Sequence, residues 1–104
     1  MNRVVDAPTP PYYAVIAPAV LGPDVEGYTQ MAARLMALAP DQPGFLGIEV
    51  CMEPGFSMAV SYWESLEAID AWRKQAEHRA AKGMARARWF EAYVTRIARV
   101  ERVY

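Results

Sequence analysis

The chain predicts a single α+β domain whose elements follow the order strand, helix, strand, strand, helix, strand. Three observations predict it. Residues 45–52 and 56–63 each alternate between two sets of side chains about the short Glu53-Pro54-Gly55 connection, the pattern of an antiparallel hairpin. Tyr28, Met31, Ala32, Leu35, Met36 and Leu38 recur at three- and four-residue spacing, which places them on one helical face. Ser65, just after Trp63, is placed to cap a second amphipathic stretch with Leu66, Ile69, Trp72 and Ala76 on one side.

In order along the chain, Tyr12-Tyr13-Ala14-Val15-Ile16 is a β-branched and aromatic run that reads as the first strand, ended near Pro18. Leu21-Gly22-Pro23 is a turn. Asp24 follows as the N-cap of the first helix, with Glu26 in its first turn, where the helix dipole favours a carboxylate. Pro40 stops that helix, and Asp41-Gln42-Pro43-Gly44 turns the chain into the second strand. This strand carries Leu46, Ile48, Val50 and Met52 on one face and Phe45, Gly47, Glu49 and Cys51 on the other. The third strand sets Phe56, Met58, Val60 and Tyr62 against Ser57, Ala59, Ser61 and Trp63. The second helix has Glu67 and Asp70 near its positive end and Arg73 and Lys74 further along; its composition continues past His78 to about Phe90, with Gly83 as a weak point. Tyr93 to Val103 alternates again as a final strand, and there is no internal repeat.

This order is the split βαβ, or ferredoxin-like, arrangement βαββαβ with a four-stranded antiparallel sheet. Two helices cover one face of such a sheet. The other face is still small or apolar in the first three strands, and an apolar surface of that extent marks an interface. The sequence therefore predicts a homodimer whose two sheets pack face to face.

The length of 104 residues suits one domain, read as residues 12–104 after a flexible lead-in, 1–11. The lead-in holds Arg3, Asp6 and three prolines but no apolar core of a secretory signal. Although 54% of residues are hydrophobic, no run approaches the roughly 20 needed to cross a bilayer, so no membrane partner is expected. Cys51, the single cysteine, cannot form an internal disulfide, which fits a reducing cytoplasm; it reads as a small buried hydrophobe. With one histidine and one cysteine far apart, the sequence offers no dedicated metal site.

Charge is divided unevenly. In residues 1–72, Arg3 and Arg34 stand against nine acids, a balance of −7, whereas residues 73–104 carry nine basic residues against Glu77, Glu91 and Glu101, a balance of +6. A basic face for nucleic acid or an anionic ligand is one reading. Charge matching between solvated faces, within or between subunits, is preferred, and no nucleic-acid partner is expected. Neither a Ser-His-Asp arrangement, a phosphate-binding glycine loop nor a dinucleotide fingerprint is present, which leaves hydrolysis by a nucleophile and nucleotide chemistry without support.

At Pro43-Gly44-Phe45-Leu46-Gly47-Ile48-Glu49-Val50, Val60-Ser61-Tyr62-Trp63-Glu64-Ser65, Ala68-Ile69-Asp70-Ala71-Trp72 and Glu77-His78-Arg79, the sequence resembles the antibiotic biosynthesis monooxygenase family. The resemblance spans about residues 12–103 and implies a dimeric α+β barrel with a pocket between sheet and helices. Some members of that family oxygenate polycyclic aromatics or quinols without metal or organic cofactor, and others bind and degrade haem. In the haem-degrading members a tryptophan and a histidine on the second helix pair with an asparagine in the first strand. Trp72 and His78 match the first two by motif, but the first strand here has no asparagine, and the interval from Trp72 to His78 lacks a few residues common in those enzymes. The resemblance therefore disfavours haem and implies that no cofactor is used.

Two chemical roles are open to His78: ligation of iron, or removal of a phenolic proton to prepare an electron-rich anion for oxygen. The alternative is a histidine that is only hydrogen-bonded near a subunit boundary or helix break. Trp72, at helical spacing from Ile69 and Ala76, reads first as core, as do Trp63 and Trp89. If a pocket exists, these rings with Tyr28, Met31, Leu35, Phe90 and Tyr62 make it apolar and suited to a small, flat aromatic molecule. Met31, Met36, Met58 and Met84 read as adaptable gap fillers, and Arg73, Arg79, Arg86 and Arg88 as a solvated helix face that can otherwise clamp a carboxylate. The candidate site is thus His78 and Trp72 as catalytic residues, in a cofactor-independent monooxygenase of aromatic, phenolic or quinol-like substrates. The rival is a non-catalytic module that holds an aromatic metabolite or haem.

Overall fold

The computed structural model describes residues 4–83 and 89–104, with side chains excepted over 77–83. Its elements are β1 (Tyr12–Leu21), α1 (Tyr28–Leu38), a 3-10 turn (Ala39–Asp41), β2 (Phe45–Glu53), β3 (Phe56–Trp63), α2 (Leu66–Gly83), β4 (Phe90–Tyr93) and β5 (Arg96–Val100). The strands lie antiparallel in the order β2-β3-β1-β4, with β5 running along the same edge of β1 as β4. This is the expected ferredoxin-like α+β arrangement, with its last strand broken in two.

That break explains why Pro18 does not end β1. Pro18 pairs with Met58 of β3, and its carbonyl accepts a hydrogen bond from the Val94 N–H at 3.3 Å. Its backbone polar groups therefore point toward β4 and β5, and its missing N–H falls opposite the gap at Val94-Thr95, where no ladder bond is lost. The expected final strand from Tyr93 is likewise corrected. Pairing starts at Phe90, opposite Leu21, and ends at Val100.

The first helix begins at Tyr28, four residues after the expected Asp24 cap. The Asp24 carboxylate instead accepts from the Glu26 N–H at 3.4 Å, a local bond that competes with helix entry. Trp89 Nε1 donates to the Glu26 carbonyl at 2.9 Å, and Gly22 N–H to the Trp89 carbonyl at 2.7 Å, so the loop is tied to the start of β4 before α1 can form. At the other end of α1, Pro40 lies in the 3-10 turn, as a helix-stopping proline should.

Gly44 sets how α2 meets the sheet. Its φ of +84° suits glycine, and a Cβ there would lie 2.6 Å from the Ala68 Cβ of α2. The Glu64 N–H donates to the Gly44 carbonyl at 2.8 Å, closing the turn under the helix. Trp63 is fully buried beneath α2; it stacks on Trp72 with ring centroids 5.9 Å apart and meets Phe45 edge to face at 5.3 Å. Ile69 is buried nearby, while Leu66 at the first turn stays exposed. A second cluster unites Met31 and Trp89 with Tyr28, Leu35 and Phe90.

Candidate functional site

β3 alternates by size. The residues under the helices are Ser57, Ala59, Ser61 and Trp63, and those on the open face are Phe56, Met58, Val60 and Tyr62. Beside them β1 contributes Val15 and Ala17 to the covered face. A floor of such small side chains cannot fill the space below two helices held off by Trp63 and Trp72. The result is an apolar cavity of ≈250 Å³ between the sheet, α1 and α2, walled by Tyr28, Leu35, Ile48, Trp63, Trp72 and Ala76. A second cavity of ≈210 Å³ adjoins it, lined by Tyr28, Met31, Ala32, Leu35, Ala76, Trp89 and Phe90; Tyr28, Ala32, Leu35 and Ala76 border both.

The side chains with polar atoms that border the first cavity are the hydroxyls of Tyr28, Ser57 and Ser61 and the indoles of Trp63 and Trp72. Tyr28 Oη and Ser57 Oγ share a hydrogen bond of 3.0 Å, and Trp63 Nε1 donates to Ser61 Oγ at 2.9 Å. Among the described residues, no carboxylate, lysine or arginine lines this cavity. It can hold a flat, uncharged molecule against a tryptophan wall, and among the described residues its lining holds no general base that works near neutral pH.

Most of the expected site residues meet here. Trp63, Trp72, Tyr28 and Leu35 border the first cavity, and Met31, Trp89 and Phe90 the second. Tyr62 does not. It lies between Ser61 and Trp63 in sequence, so strand alternation turns it to the open face. There its hydroxyl donates to Glu49 Oε1 at 2.5 Å and its ring meets Tyr12 edge to face at 5.9 Å. Burial, then the Glu49 carboxylate, pushes its pKa up to about 12. Cys51 is also corrected: it is exposed, because it faces away from the helices on edge strand β2. His78 belongs to α2, but its side chain, like that of Arg79, lies outside the described residues, as do Met84, Arg86 and Arg88 altogether.

The sequence reading missed Ser57, Ser61 and Ala59 as cavity residues. Their signal was present, since three small residues alternate with four large ones along β3. Among the described residues, no helix is long and apolar enough to cross a membrane, and no group of three or more His, Cys, Asp or Glu is placed to hold a metal ion.

Comparison with known proteins agrees with this architecture. The uncharacterized protein YqjZ of Bacillus subtilis (strain 168) is 47% identical over 103 residues, 98% of this chain and 90% of that protein. PA3566 from Pseudomonas aeruginosa superposes with a TM-score of 0.71 at 14% identity, covering 94% of this chain and 100% of that one. A point variant of SnoaB, a cofactor-independent oxygenase from Streptomyces nogalater, superposes with a TM-score of 0.70 at 13% identity, covering 88% and 95% respectively. At such identities the two structures speak for the fold alone. The family model for antibiotic biosynthesis monooxygenase matches residues 11–84, the span that builds β1 through α2 and with them the cavity, and the chain belongs to that family.

Proposed function

We propose that the protein is a cofactor-independent monooxygenase acting on a small aromatic, phenolic or quinol-like substrate. The observation that carries this reading is the uncharged cavity of ≈250 Å³ walled by the stacked Trp63 and Trp72, in a chain of this family. Its size falls just below the roughly 300–1,000 Å³ of most small-molecule sites, which suits two or three fused rings better than a larger ligand. A haem is a poor fit: no lysine or arginine among the described lining residues is available to its propionates.

The chemistry needs no outside reductant. A phenol with a free ring position reacts with O2 to give a quinone and water; the ring is oxidised and O2 reduced, with one oxygen atom entering each product. The phenolic proton must leave first, because the anion gives up electrons to O2 more readily than the neutral ring. The described cavity lining supplies no acceptor for that proton, so we assign the role to His78, the chain's one histidine, six residues beyond Trp72. Trp72 holds the ring against the wall.

We also read the protein as a cytoplasmic homodimer, its copies meeting through the open sheet face, where Val20 is 40% exposed and Met58 and Val60 are half-buried. Sedimentation at micromolar concentration should show the dimer; a stable single protomer would contradict that part.

Oxygen uptake with 1-naphthol and other one- to three-ring phenols tests the reaction. The reading expects uptake above the buffer rate, one atom of 18O2 in the 1,4-naphthoquinone product, and a loss of about 100-fold or more in His78→Ala. Binding without oxygen uptake across the panel would identify a carrier instead, and an undiminished rate in His78→Ala would remove the histidine's role.

A further inference from the structure

We infer that the Ser57–Tyr28 hydroxyl pair is the polar anchor of the cavity and selects aromatic ligands that carry an uncharged oxygen, carbonyl or phenolic, over bare hydrocarbon rings. This rests on the cavity being the substrate site. The pair has two O–H groups, and the 3.0 Å bond between them uses one hydrogen. Whichever oxygen donates, the other hydrogen remains, and both residues border the cavity. Neither hydroxyl has another hydrogen-bond partner among the described residues.

The anchor is held in place. Ser57 is buried on β3. The Tyr28 ring is fixed edge-on between Trp89, with centroids 5.5 Å apart, and Phe90, at 5.6 Å, so its oxygen cannot readily swing out to water. Four residues along the same strand face, about 13 Å away, Ser61 accepts from Trp63 and keeps its own hydrogen. The cavity therefore has a hydroxyl toward each end and apolar surface between. A ring system bearing oxygen satisfies the free hydrogen at the anchor; one without it covers a half-buried donor and leaves it unpaired. An ionised ligand finds no countercharge among the described lining residues.

Equilibrium dialysis of 1-naphthol and naphthalene against the whole protein tests this. The ratio of the two dissociation constants should shift about tenfold toward naphthalene in the double variant Ser57→Ala, Tyr28→Phe, which removes both hydroxyls and keeps the shape. Ser57→Thr, which keeps the hydroxyl, should leave the ratio within about twofold of the parent. A purely structural role would weaken both ligands together; an unchanged ratio in the double variant would therefore overturn the anchor and leave the cavity as the site. Should the parent protein bind neither probe, the cavity reading itself fails, and the anchor with it.

Discussion

The two faces of the sheet come from the same strands and the same alternation, yet one leaves an apolar pocket beneath the helices and the other carries a hydrogen-bonded clasp at Glu49 and Tyr62 on an otherwise apolar surface. Under the helices, Ser57, Ala59, Ser61 and Ala17 are too small to reach α1 and α2, and a cavity remains. On the open face, Tyr12 and Tyr62 pack together, and the Glu49 carboxylate accepts from Tyr62 at 2.5 Å and from the Val5 N–H at 3.0 Å, tying the segment before β1 to the sheet. Gly47 permits that approach, since a Cβ there would collide with the Val5 side chain. Both faces are largely apolar in sequence. Residue volume, rather than polarity, decides which of them has room for a guest.

Substitutions on each face should separate these roles, and the largest effect is expected under the helices. Trp63→Ala removes a fully buried ring and its stacking on Trp72, and should destabilise the fold by about 3–5 kcal/mol in denaturant unfolding. A loss under 1 kcal/mol would mean that the helices do not rest on it. Glu49→Ala, on the open face, should lower stability by about 1–3 kcal/mol and leave 1-naphthol binding unchanged. If binding fell with it, the faces would not be independent.

The clasp also predicts a pH dependence. The Tyr62 pKa is about 12 in the fold, above the ordinary value of 10.0, so the folded state holds the phenol proton more tightly than the unfolded chain. Its contribution to stability is complete below pH 10 and is lost as pH rises from there through about 12. Ultraviolet titration of tyrosinate should show a late component that Tyr62→Phe removes, and the variant should lose less stability over that window than the parent. The smallest effect is expected at the surface. Asp70 pairs with Lys74 at 3.4 Å and Arg73 at 3.8 Å, all exposed, and Asp70→Asn should change stability by no more than about 0.5 kcal/mol.

Much of this was legible in the sequence where local signals agree with tertiary packing. The period of two in β3 and from Gly47 along β2, the apolar face of α1 and the Pro54-Gly55 turn all depend on near neighbours and appear where the pattern places them. Phe45 is a correction, because a bulge between Phe45 and Gly47 sets its ring against Trp63 under the helices instead of on the open face with Gly47 and Glu49. The misreadings arise where a distant residue overrides a local preference. Pro18 continues β1 because the far strand is broken opposite it, and Asp24 does not start α1 because Trp89, more than sixty residues away, holds the preceding loop. Tyr62 and Cys51 were misread for a different cause: an aromatic or a thiol reads as buried until it is known which sheet face the helices cover. The site was half legible. Its aromatic walls could be named from type and spacing, whereas the void between them follows from three small residues on one strand.

The most direct test of the claim that this void is the functional site is to fill it and measure binding. Ala59→Leu places a larger side chain on the cavity floor, between Ser57 and Ser61, without touching the open-face clasp. The account predicts an unchanged or higher melting temperature and a loss of at least about tenfold in 1-naphthol affinity, since the ligand and the new side chain compete for one space. A folded Ala59→Leu protein that binds 1-naphthol as tightly as the parent would contradict it.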